Sequence, residues 1–498
     1  MKVTVLGGGT LGALITFFIE NNIKNVTLTN VHSPSKGIIG VGEGTTGGLQ
    51  HYFSSYQPLG TKRLINEREF FRETKANIKL TIKYEDWCKK DYWSPFEPNM
   101  MAKEDLSVYD YSFMNHNEAC YLNKNTHFCK SNKTGIIKNV SLNDQWSNHY
   151  GYHYDGNLIS KYFLKKCKKT NFIYDDVIDV EYKDNGFVKT LITKLGQKIE
   201  TDFVIDCSGF HRVFKEKYKL YTRKVTSSLI NRAMPFLVQY KDNEELIAYT
   251  IAKGMQYGWM WRAPIQSRYG MGYCYNRDLI SDEDVIKEVE TLLGHEIEPV
   301  KFIDWEPQIT EQIWHKNIAL FGLSSNFIEP LEATNIHGAL VSFLSFFNHT
   351  IVTSDSEHHW TDNLYNEHVQ NKFNKEIVQL YENFESFIQL HYLNPKYKTE
   401  FWNWYADKSN WTDTNKYHIE KGNNGDLIPQ DFYEGQSGVA GPCLVYPTLL
   451  DLELVPPRTR GVCFDEHFSE KAYWQVNHID NLCKRSYTMR EFSQAINS

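Results

Sequence analysis

The stretch KVTVLGGGTLGALITFFIENN, residues 2–22, decides the fold of this 498-residue chain. Its first five residues are mostly apolar, which is typical of a short buried strand. A tight glycine-rich turn follows from Gly7 to Gly12, and Thr10 to Asn21 has the pattern of a helix. The segment NVTLTN, residues 25–30, indicates a second strand. Strand, turn, helix and strand in this order predict the start of an α/β fold with a parallel sheet.

The turn carries the pattern GxGxxG, whose fixed glycines are Gly7, Gly9 and Gly12. Between a strand and a helix, such a turn presents backbone N–H groups and a helix N-terminus to the pyrophosphate of a dinucleotide. The alternative is a glycine-rich turn that binds nothing. The residue that usually binds the ribose, an Asp or Glu about 20 residues further on, is replaced by Asn30. An amide can hydrogen-bond a ribose, but less strongly than a carboxylate.

Helical and strand patterns alternate through the first two thirds of the chain. Asp155 is a suitable N-cap for the helical segment GNLISKYFLKKC, and the turn pairs Asn185-Gly186 and Leu195-Gly196 divide the next stretch into strands. Beyond about Gly338 the apolar spacing becomes helical. We therefore expect a cofactor-binding portion over 1–340, with insertions around 50–150 and a sheet around 225–310. A mainly helical portion over 341–498 is expected to pack against it.

Composition excludes several classes of protein. The net charge of −7 and a pI near 6.2 give no basic footprint for nucleic acid and no polybasic membrane surface. No run approaches the roughly 18 apolar residues that a membrane span requires. The nine cysteines form no CxxC pair, and the histidines lack carboxylates at ligand spacing, so we expect neither disulfides nor a metal site. A reducing cytoplasm and a small-molecule partner are predicted.

Further motifs follow the glycine turn in a definite order, and together they resemble the flavin-dependent tryptophan halogenase family through most of the chain. They are GVGE (residues 40–43), IKLTIKYEDW (78–87), YHYDG (152–156), DCSGF (206–210), GWMWRAPI (258–265), SSNFIEPLEATNI (324–336) and the helical segment FNKEI…FIQLHY (373–392).

The resemblance implies an α/β fold: a Rossmann-like FAD-binding domain of the flavin monooxygenase/halogenase type with a mainly helical C-terminal substrate-binding portion. It also implies a reaction. Reduced flavin (FADH2) from a separate flavin reductase reacts with O2 to give a hydroperoxide that oxidises chloride, bromide or iodide. The resulting hypohalous acid passes through the protein to an electron-rich aromatic substrate. A homo-oligomer is compatible with this family.

The resemblance also implies site residues. Lys79 takes the place of the catalytic lysine, which holds or accepts the halogen, and Glu332 that of the glutamate which orients the oxidant and removes the ring proton. The backbone at Thr334 and Asn335 would bind halide, and Trp259, Trp261 and Pro264 would shield the flavin from substrate. The residues implied to bind FAD are Gly7, Gly9, Thr10, Gly12, Gly40, Val41, Gly42, Glu43, Asp206, Gly209, Phe327 and Ile336.

Taken by themselves, these residues have plainer interpretations. The lysines of KANIKLTIK lie four apart, as on a solvated helix face, and Glu329 or Glu332 could cap a helix that begins near Thr334. The two tryptophans could be core aromatics at a strand end.

Three positions depart from the family: Ala263 for isoleucine, Ala333 for serine and Asn335 for glycine. Segment 432–450 is Gly/Pro-rich, unlike the segment that encloses free tryptophan in tryptophan-using members.

The leading hypothesis is a flavin-dependent halogenase acting on an indole or another electron-rich aromatic. A flavin-dependent aromatic hydroxylase is the alternative; it would react with a nicotinamide itself and admit its substrate to the flavin. A flavin-binding protein without catalytic activity is a third class, which the presence of both Lys79 and Glu332 disfavours.

Overall fold

The structure is a computed structural model. It describes residues 1–34, 37, 40, 42–53, 63–94, 124–142, 150–354, 357–427, 431, 442–456 and 477–498.

The strands are numbered in chain order. They are β1 (Lys2–Leu6), β2 (Thr27–Val31), β3 (Glu43–Gly44), β4 (Asn77–Lys79), β5 (Thr81–Glu85), β6 (Tyr92–Ser94), β7 (Gly151–Tyr154), β8 (Asn171–Ile173), β9 (Val177–Tyr182), β10 (Val188–Thr193), β11 (Lys198–Glu200), β12 (Phe203–Asp206), β13 (Thr222–Lys224), β14 (Arg232–Val238), β15 (Tyr249–Met255), β16 (Gly258–Pro264), β17 (Tyr269–Tyr275), β18 (Ile303–Asp304), β19 (Gln308–Thr310), β20 (Trp314–His315), β21 (Ile318–Leu320), β22 (Ile351–Ser354) and β23 (Glu357–Trp360).

The α-helices include α1 (Thr10–Asn22), α2 (Glu67–Thr74), α3 (Lys124–Lys130), α4 (Gly156–Lys166), α5 (Val213–Tyr218), α6 (Asp282–Leu293), α7 (Thr334–Thr350), α8 (Glu367–Leu390), α9 (Glu400–Ala406), α10 (Asp413–Asn424), α11 (Pro442–Asp451) and α12 (Met489–Asn497).

A six-stranded sheet in the order β20-β21-β12-β1-β2-β8 contains the predicted dinucleotide motif. Its strands are parallel except for the β20–β21 pair. The predicted strand over residues 2–6, the turn and the helix from Thr10 are all present. Helix α1 is buried on most of its surface. On the side that faces α7, Phe18 packs edge-on against Phe343 and Phe347.

Two other sheets extend from this core. The larger has the order β18-β14-β17-β16-β15-β5-β6 and is antiparallel apart from the β15–β5 pair. The smaller, β3-β7-β4, has the YHYDG motif as its central strand. Since β7 pairs with both β3 and β4, it brings Glu43 of the GVGE motif and Lys79 onto one small sheet.

The C-terminal part of the chain is mainly helical in its described residues, and a β22–β23 hairpin adds two strands. Helix α8 packs against α7 and also contacts α10 and α11. Helix α7 crosses residue 340, where we expect the two portions of the chain to meet. That division stays a prediction.

Candidate functional site

A cavity of about 900 Å³ lies between the six-stranded sheet, the small sheet and the middle of the seven-stranded sheet. The glycine turn forms one end of its wall, through Gly7, Gly9, Thr10 and Gly12. Lys79 and Glu332 also line it. One cavity therefore joins the predicted dinucleotide turn to the two predicted catalytic residues, although the first of these, Lys79, lies 67 positions after Gly12 in sequence.

The glycine turn leaves room for a ligand at Gly9 and is closely packed at Gly7 and Gly12. A Cβ on Gly7 would lie 2.3 Å from the carbonyl oxygen of Cys207, and one on Gly12 would lie 2.2 Å from that of Gly7. A Cβ on Gly9 would meet nothing within 4 Å, and the same holds for Gly209 on the facing loop. No side chain caps α1, whose first turn contains no acid. The turn thus fits the pyrophosphate of a dinucleotide such as FAD.

Asn30, at the usual ribose position, is occupied by contacts within the protein. Its Nδ2 donates to the carbonyl of Gly7 at 3.1 Å and to the Thr16 hydroxyl at 2.9 Å. Its Oδ1 lies 2.7 Å from Nδ1 of His32. The imidazole of His32 packs on Gly8, lines the cavity and has its pKa lowered by burial. His32, and not Asn30, therefore presents a side chain to the end of the cavity where a ribose would lie.

The other predicted cofactor residues divide into two groups. Gly42, Glu43, Gly209, Phe327 and Ile336 line the cavity. Burial raises the pKa of Glu43 to about 7, although the Tyr154 hydroxyl donates to its Oε2 at 3.0 Å.

Gly40 and Asp206 are absent from the described lining, and Val41 lies outside the described residues. The Asp206 carboxylate instead accepts hydrogen bonds from the backbone N–H groups of Ser208 and Phe214, at 2.8 and 3.1 Å.

Lys79 is on a buried strand, so the interpretation of its segment as a solvated helix face is wrong. Its side chain is 2% exposed, and burial lowers the pKa of its amine to about 8, against the opposing effect of Glu332. Lys83, four residues on, lies on β5 and is partly exposed, with Nζ 2.8 Å from Glu85 and 3.3 Å from Asp91. The two lysines differ in burial because β4 pairs with β7. Local sequence periodicity does not explain the difference.

Glu332 sits in a short helical turn before α7 in a left-handed conformation, with φ of 60°, and Ala333 follows at 55°. Two consecutive non-glycine residues in this region store strain, which the surrounding contacts must offset. The Glu332 carboxyl accepts a hydrogen bond from the Tyr84 hydroxyl at 2.5 Å. Burial raises its pKa, while Tyr84, Ser94 and Lys79 act to lower it.

Neither carboxylate caps α7, so that alternative is also wrong. The N-cap is Ala333, no side chain caps the helix, and its first turn has no acid. Glu329 instead accepts hydrogen bonds from Tyr392 at 2.6 Å and Ser228 at 3.0 Å. Asn335 lines the cavity, whereas Thr334 is absent from the described lining and donates its hydroxyl to Leu331. The uncapped helix start presents N–H groups with a partial positive charge, a suitable environment for an anion.

Trp259 and Trp261 project from β16 into the same cavity, as alternation on a strand requires. Their ring centroids are 6.3 Å apart. Trp261 lies across Gly272 of β17, where a Cβ would come within 2.0 Å of the indole. Pro264 ends β16 but is not part of the lining formed by the described residues.

The sequence model of the family described as tryptophan halogenase matches residues 2–440. The chain belongs to the tryptophan halogenase family. This finding confirms the predicted class, a flavin-dependent halogenase, and sets aside the aromatic hydroxylase.

Relatives of this halogenase agree with the assignment. The tryptophan 6-halogenase SttH of Streptomyces toxytricini is 25% identical over 453 residues, which cover 80% of each chain. The tryptophan 7-halogenase RebH of Lentzea aerocolonigenes is 24% identical over 428 residues, covering 80% of this chain and 78% of its own.

A solved structure confirms the predicted fold class. The tryptophan halogenase of Shewanella frigidimarina superposes with a TM-score of 0.85 at 21% identity, over 100% of this chain and 97% of its own. In the described part of the halogenase, no helix is long and apolar enough to cross a membrane. Within those same residues, no cluster of three or more His, Cys, Asp or Glu side chains could hold a metal ion.

Three further residues at this site were not predicted from the sequence. Tyr84 is inside the paired-lysine motif, His391 is inside the FIQLHY segment, and His32 follows the second strand. Tyr84 and His391 both approach Glu332, the imidazole with its Nε2 at 3.5 Å from Oε1. For Tyr84 and His391, the available signal was a polar aromatic residue inside a motif that is otherwise typical of an apolar strand or helix.

Proposed function

We propose that this halogenase uses FADH2 from a separate flavin reductase, O2 and a halide to halogenate an indole or another electron-rich aromatic. The observation that carries the proposal is the single cavity lined both by the glycine turn and by the buried Lys79 and Glu332. FAD would lie on the portion over 1–340, and the aromatic substrate would pack against the portion over 341–498. When bound, the reduced flavin with O2 supplies the two-electron oxidation of halide to hypohalous acid.

The residues of the chain itself would bind the cofactor and the halide, keep the organic substrate away from the flavin, and transfer the halogen. N–H groups of the glycine turn receive the pyrophosphate, and the imidazole of His32 faces the ribose. The uncapped N-terminus of α7, at Thr334 and Asn335, holds the halide. Trp259 and Trp261 exclude the organic substrate from the oxidising end, so halide is oxidised first. The amine of Lys79 then holds the hypohalous acid by a hydrogen bond or accepts the halogen as a haloamine.

Glu332 completes the reaction at the substrate ring. Electrophilic attack gives a cationic ring intermediate that must lose a proton from the halogenated carbon. Because that proton is very acidic, a carboxylate is a strong enough base. The relatives named above act on tryptophan; in this chain, segment 432–450 differs from the family's tryptophan-enclosing segment, so the proposal extends to indoles and phenols in general.

The test supplies the purified protein with FAD, NADH, a flavin reductase and chloride, bromide or iodide in turn. A panel of L-tryptophan, substituted indoles and phenols is then read by mass spectrometry. We expect a halogenated product that requires both the halide and the reductase. A gain of one oxygen without halide and without the reductase would contradict the proposal.

Lys79→Ala tests the role of the lysine. The variant is expected to bind FAD and to oxidise reduced flavin at the normal rate, yet to form no halogenated product. Lys83→Ala is the matched control because its amine is ion-paired at the surface of the same segment. Full halogenation by Lys79→Ala would remove Lys79 from the mechanism.

A further inference from the structure

The Tyr84 hydroxyl makes a short hydrogen bond to the carboxylate of Glu332. Its ring is fully buried on β5, and its hydroxyl donates to Oε1 at 2.5 Å. That separation lies in the range of a charge-assisted O–H···O⁻ bond, about 2.5–2.7 Å. The hydroxyl therefore favours the ionised carboxylate, which is the form that can accept a proton.

A stack of parallel rings fixes the direction of this hydroxyl. The Tyr84 ring lies 4.5 Å from Tyr92 with an interplanar angle of 7°, and 4.5 Å from His391 with an angle of 4°. Trp87 packs against it edge-on, with centroids 5.0 Å apart. Tyr92 and His391 lie side by side on one face of the Tyr84 ring, because their own centroids are only 6.0 Å apart with an interplanar angle of 8°. A ring packed against these two rings and against Trp87 cannot swing its hydroxyl away from Glu332 without moving several buried side chains.

Three neighbouring polar side chains, Tyr92, His391 and Ser94, do not make the same hydrogen bond to the Glu332 carboxylate. The Tyr92 hydroxyl lies 2.8 Å from Nδ1 of His391 and so is directed away from the carboxylate. Nε2 of His391 stands 3.5 Å from Oε1 without a hydrogen bond, and burial lowers the pKa of this imidazole to about 3, which leaves it neutral. The Ser94 hydroxyl is near enough to lower the pKa of Glu332 but falls outside hydrogen-bond geometry.

The backbone conformation of Glu332 is a second reason why its carboxyl requires a hydrogen-bond donor such as Tyr84. Its left-handed conformation and that of Ala333 are unfavourable for side chains with a Cβ, so local preference does not orient the carboxyl. Ala333 also carries no hydroxyl that could help. The groups that face the carboxyl come from other elements: Lys79 from β4, Tyr84 from β5, Ser94 from β6 and His391 after α8.

We propose that Tyr84 is a positioning residue, which holds Glu332 ionised and correctly oriented as the base of the halogenation reaction. The inference rests on the proposed role of Glu332 and adds a residue to it. Without the hydroxyl, the buried carboxyl would lose the largest of the interactions that oppose its burial, and its pKa would rise.

The test compares Tyr84→Phe with the unmodified enzyme, using whichever panel substrate the latter brominates fastest. Tyr92→Phe is the matched control, because it removes a hydroxyl from the adjacent ring of the same stack. Glu332→Gln tests the proposed base itself. The measurements are the pH profile of kcat/KM for bromination, the bromide-dependent oxidation of reduced flavin without substrate, and pH-dependent infrared difference spectra of the carboxyl band that Glu332→Gln lacks.

Tyr84→Phe is expected to shift the acid limb of the profile upward by about one to two pH units, and to shift the infrared titration equally. Below the limb, kcat/KM falls by roughly 10- to 100-fold, whereas flavin oxidation is unchanged. Tyr92→Phe is expected to keep the normal limb. An unshifted limb in Tyr84→Phe, or the same loss at every pH, would overturn the positioning role.

Glu332→Gln separates this proposal from the one on which it rests. If that variant still brominates at the normal rate, Glu332 is not the base, and the proposed function is wrong in this respect. In that case the infrared titration still tests whether Tyr84 stabilises the ionised carboxylate of Glu332. An unchanged carboxyl titration in Tyr84→Phe contradicts the inference, irrespective of activity.

Discussion

Nζ of Lys79 lies directly against Gly44: a Cβ at Gly44 would stand 3.0 Å from that nitrogen and 3.3 Å from Cδ of the same side chain. We therefore expect Gly44→Ala to displace the amine. The amine must move by a few tenths of an ångström. Because a displacement of about 1 Å from a reacting position can cost about 100-fold in rate, halogenation should fall roughly 3- to 10-fold. The measurement is kcat for product formation, alongside FAD affinity by fluorescence titration.

Gly48→Ala provides the control for this substitution. The same methyl group there would have its nearest neighbour, Nδ1 of His337, at 3.4 Å, which is an ordinary contact. We expect Gly48→Ala to halogenate at nearly the normal rate. Normal halogenation by Gly44→Ala would mean that the amine of Lys79 tolerates displacement.

The shielding role proposed for Trp259 and Trp261 predicts a change in the coupling of flavin oxidation to halogenation. If the two indoles separate the flavin from the substrate, Trp261→Ala should release more peroxide for each halogenated product. Trp259 is 3% exposed, and its replacement by alanine should cost about 3–5 kcal/mol of stability. The half-buried Trp261 is thus the better position for the kinetic test. Peroxide and product are measured together, and urea unfolding of both variants checks the stability. An unchanged ratio in Trp261→Ala would argue against a shielding role.

The pair formed by Asn30 and His32 predicts how FAD is held. His32→Ala should weaken FAD binding by about 0.5–1.5 kcal/mol, the usual net value of one hydrogen bond. His315→Ala removes a half-buried imidazole from β20, remote from this end of the sheet, and should leave affinity unchanged. Isothermal titration with oxidised FAD gives both values. Equal affinities for His32→Ala and the unmodified protein would exclude a contact with the cofactor.

The glycine turn and helix α1 could be predicted from sequence because their determinants are local. Strand, turn and helix follow one another within 22 residues, and each has its own composition. The N-cap of α4 at Asp155 was equally local, since its side chain accepts from the next residues along the chain.

The surroundings of Lys79 and Glu332 could not be predicted in the same way. Lys79 is buried because β4 pairs with β7, more than 70 residues further on. Tyr84 and Glu332 are 248 residues apart. Spacing within a motif carries no information about such contacts, so resemblance could name the two catalytic candidates but not the tyrosine that binds one of them.

The burial of Lys79 predicts a pH dependence for halogen transfer. Only the neutral amine can form a bond to halogen, and burial lowers the pKa of Lys79 from its ordinary value to about 8. The neutral fraction therefore rises with pH up to about 8 and changes little above it. We expect the halogenation rate to follow this rise, with a limb near pH 8, in addition to the lower limb assigned to Glu332.

Lys79→Cys, alkylated with 2-bromoethylamine, tests this assignment. The product restores an amine of lower pKa at this position and should move the limb to lower pH. Unmodified enzyme treated in the same way controls for reaction at the other cysteines. A rate that instead falls above pH 8 would show that the ammonium form is needed and that Lys79 holds hypohalous acid only by a hydrogen bond.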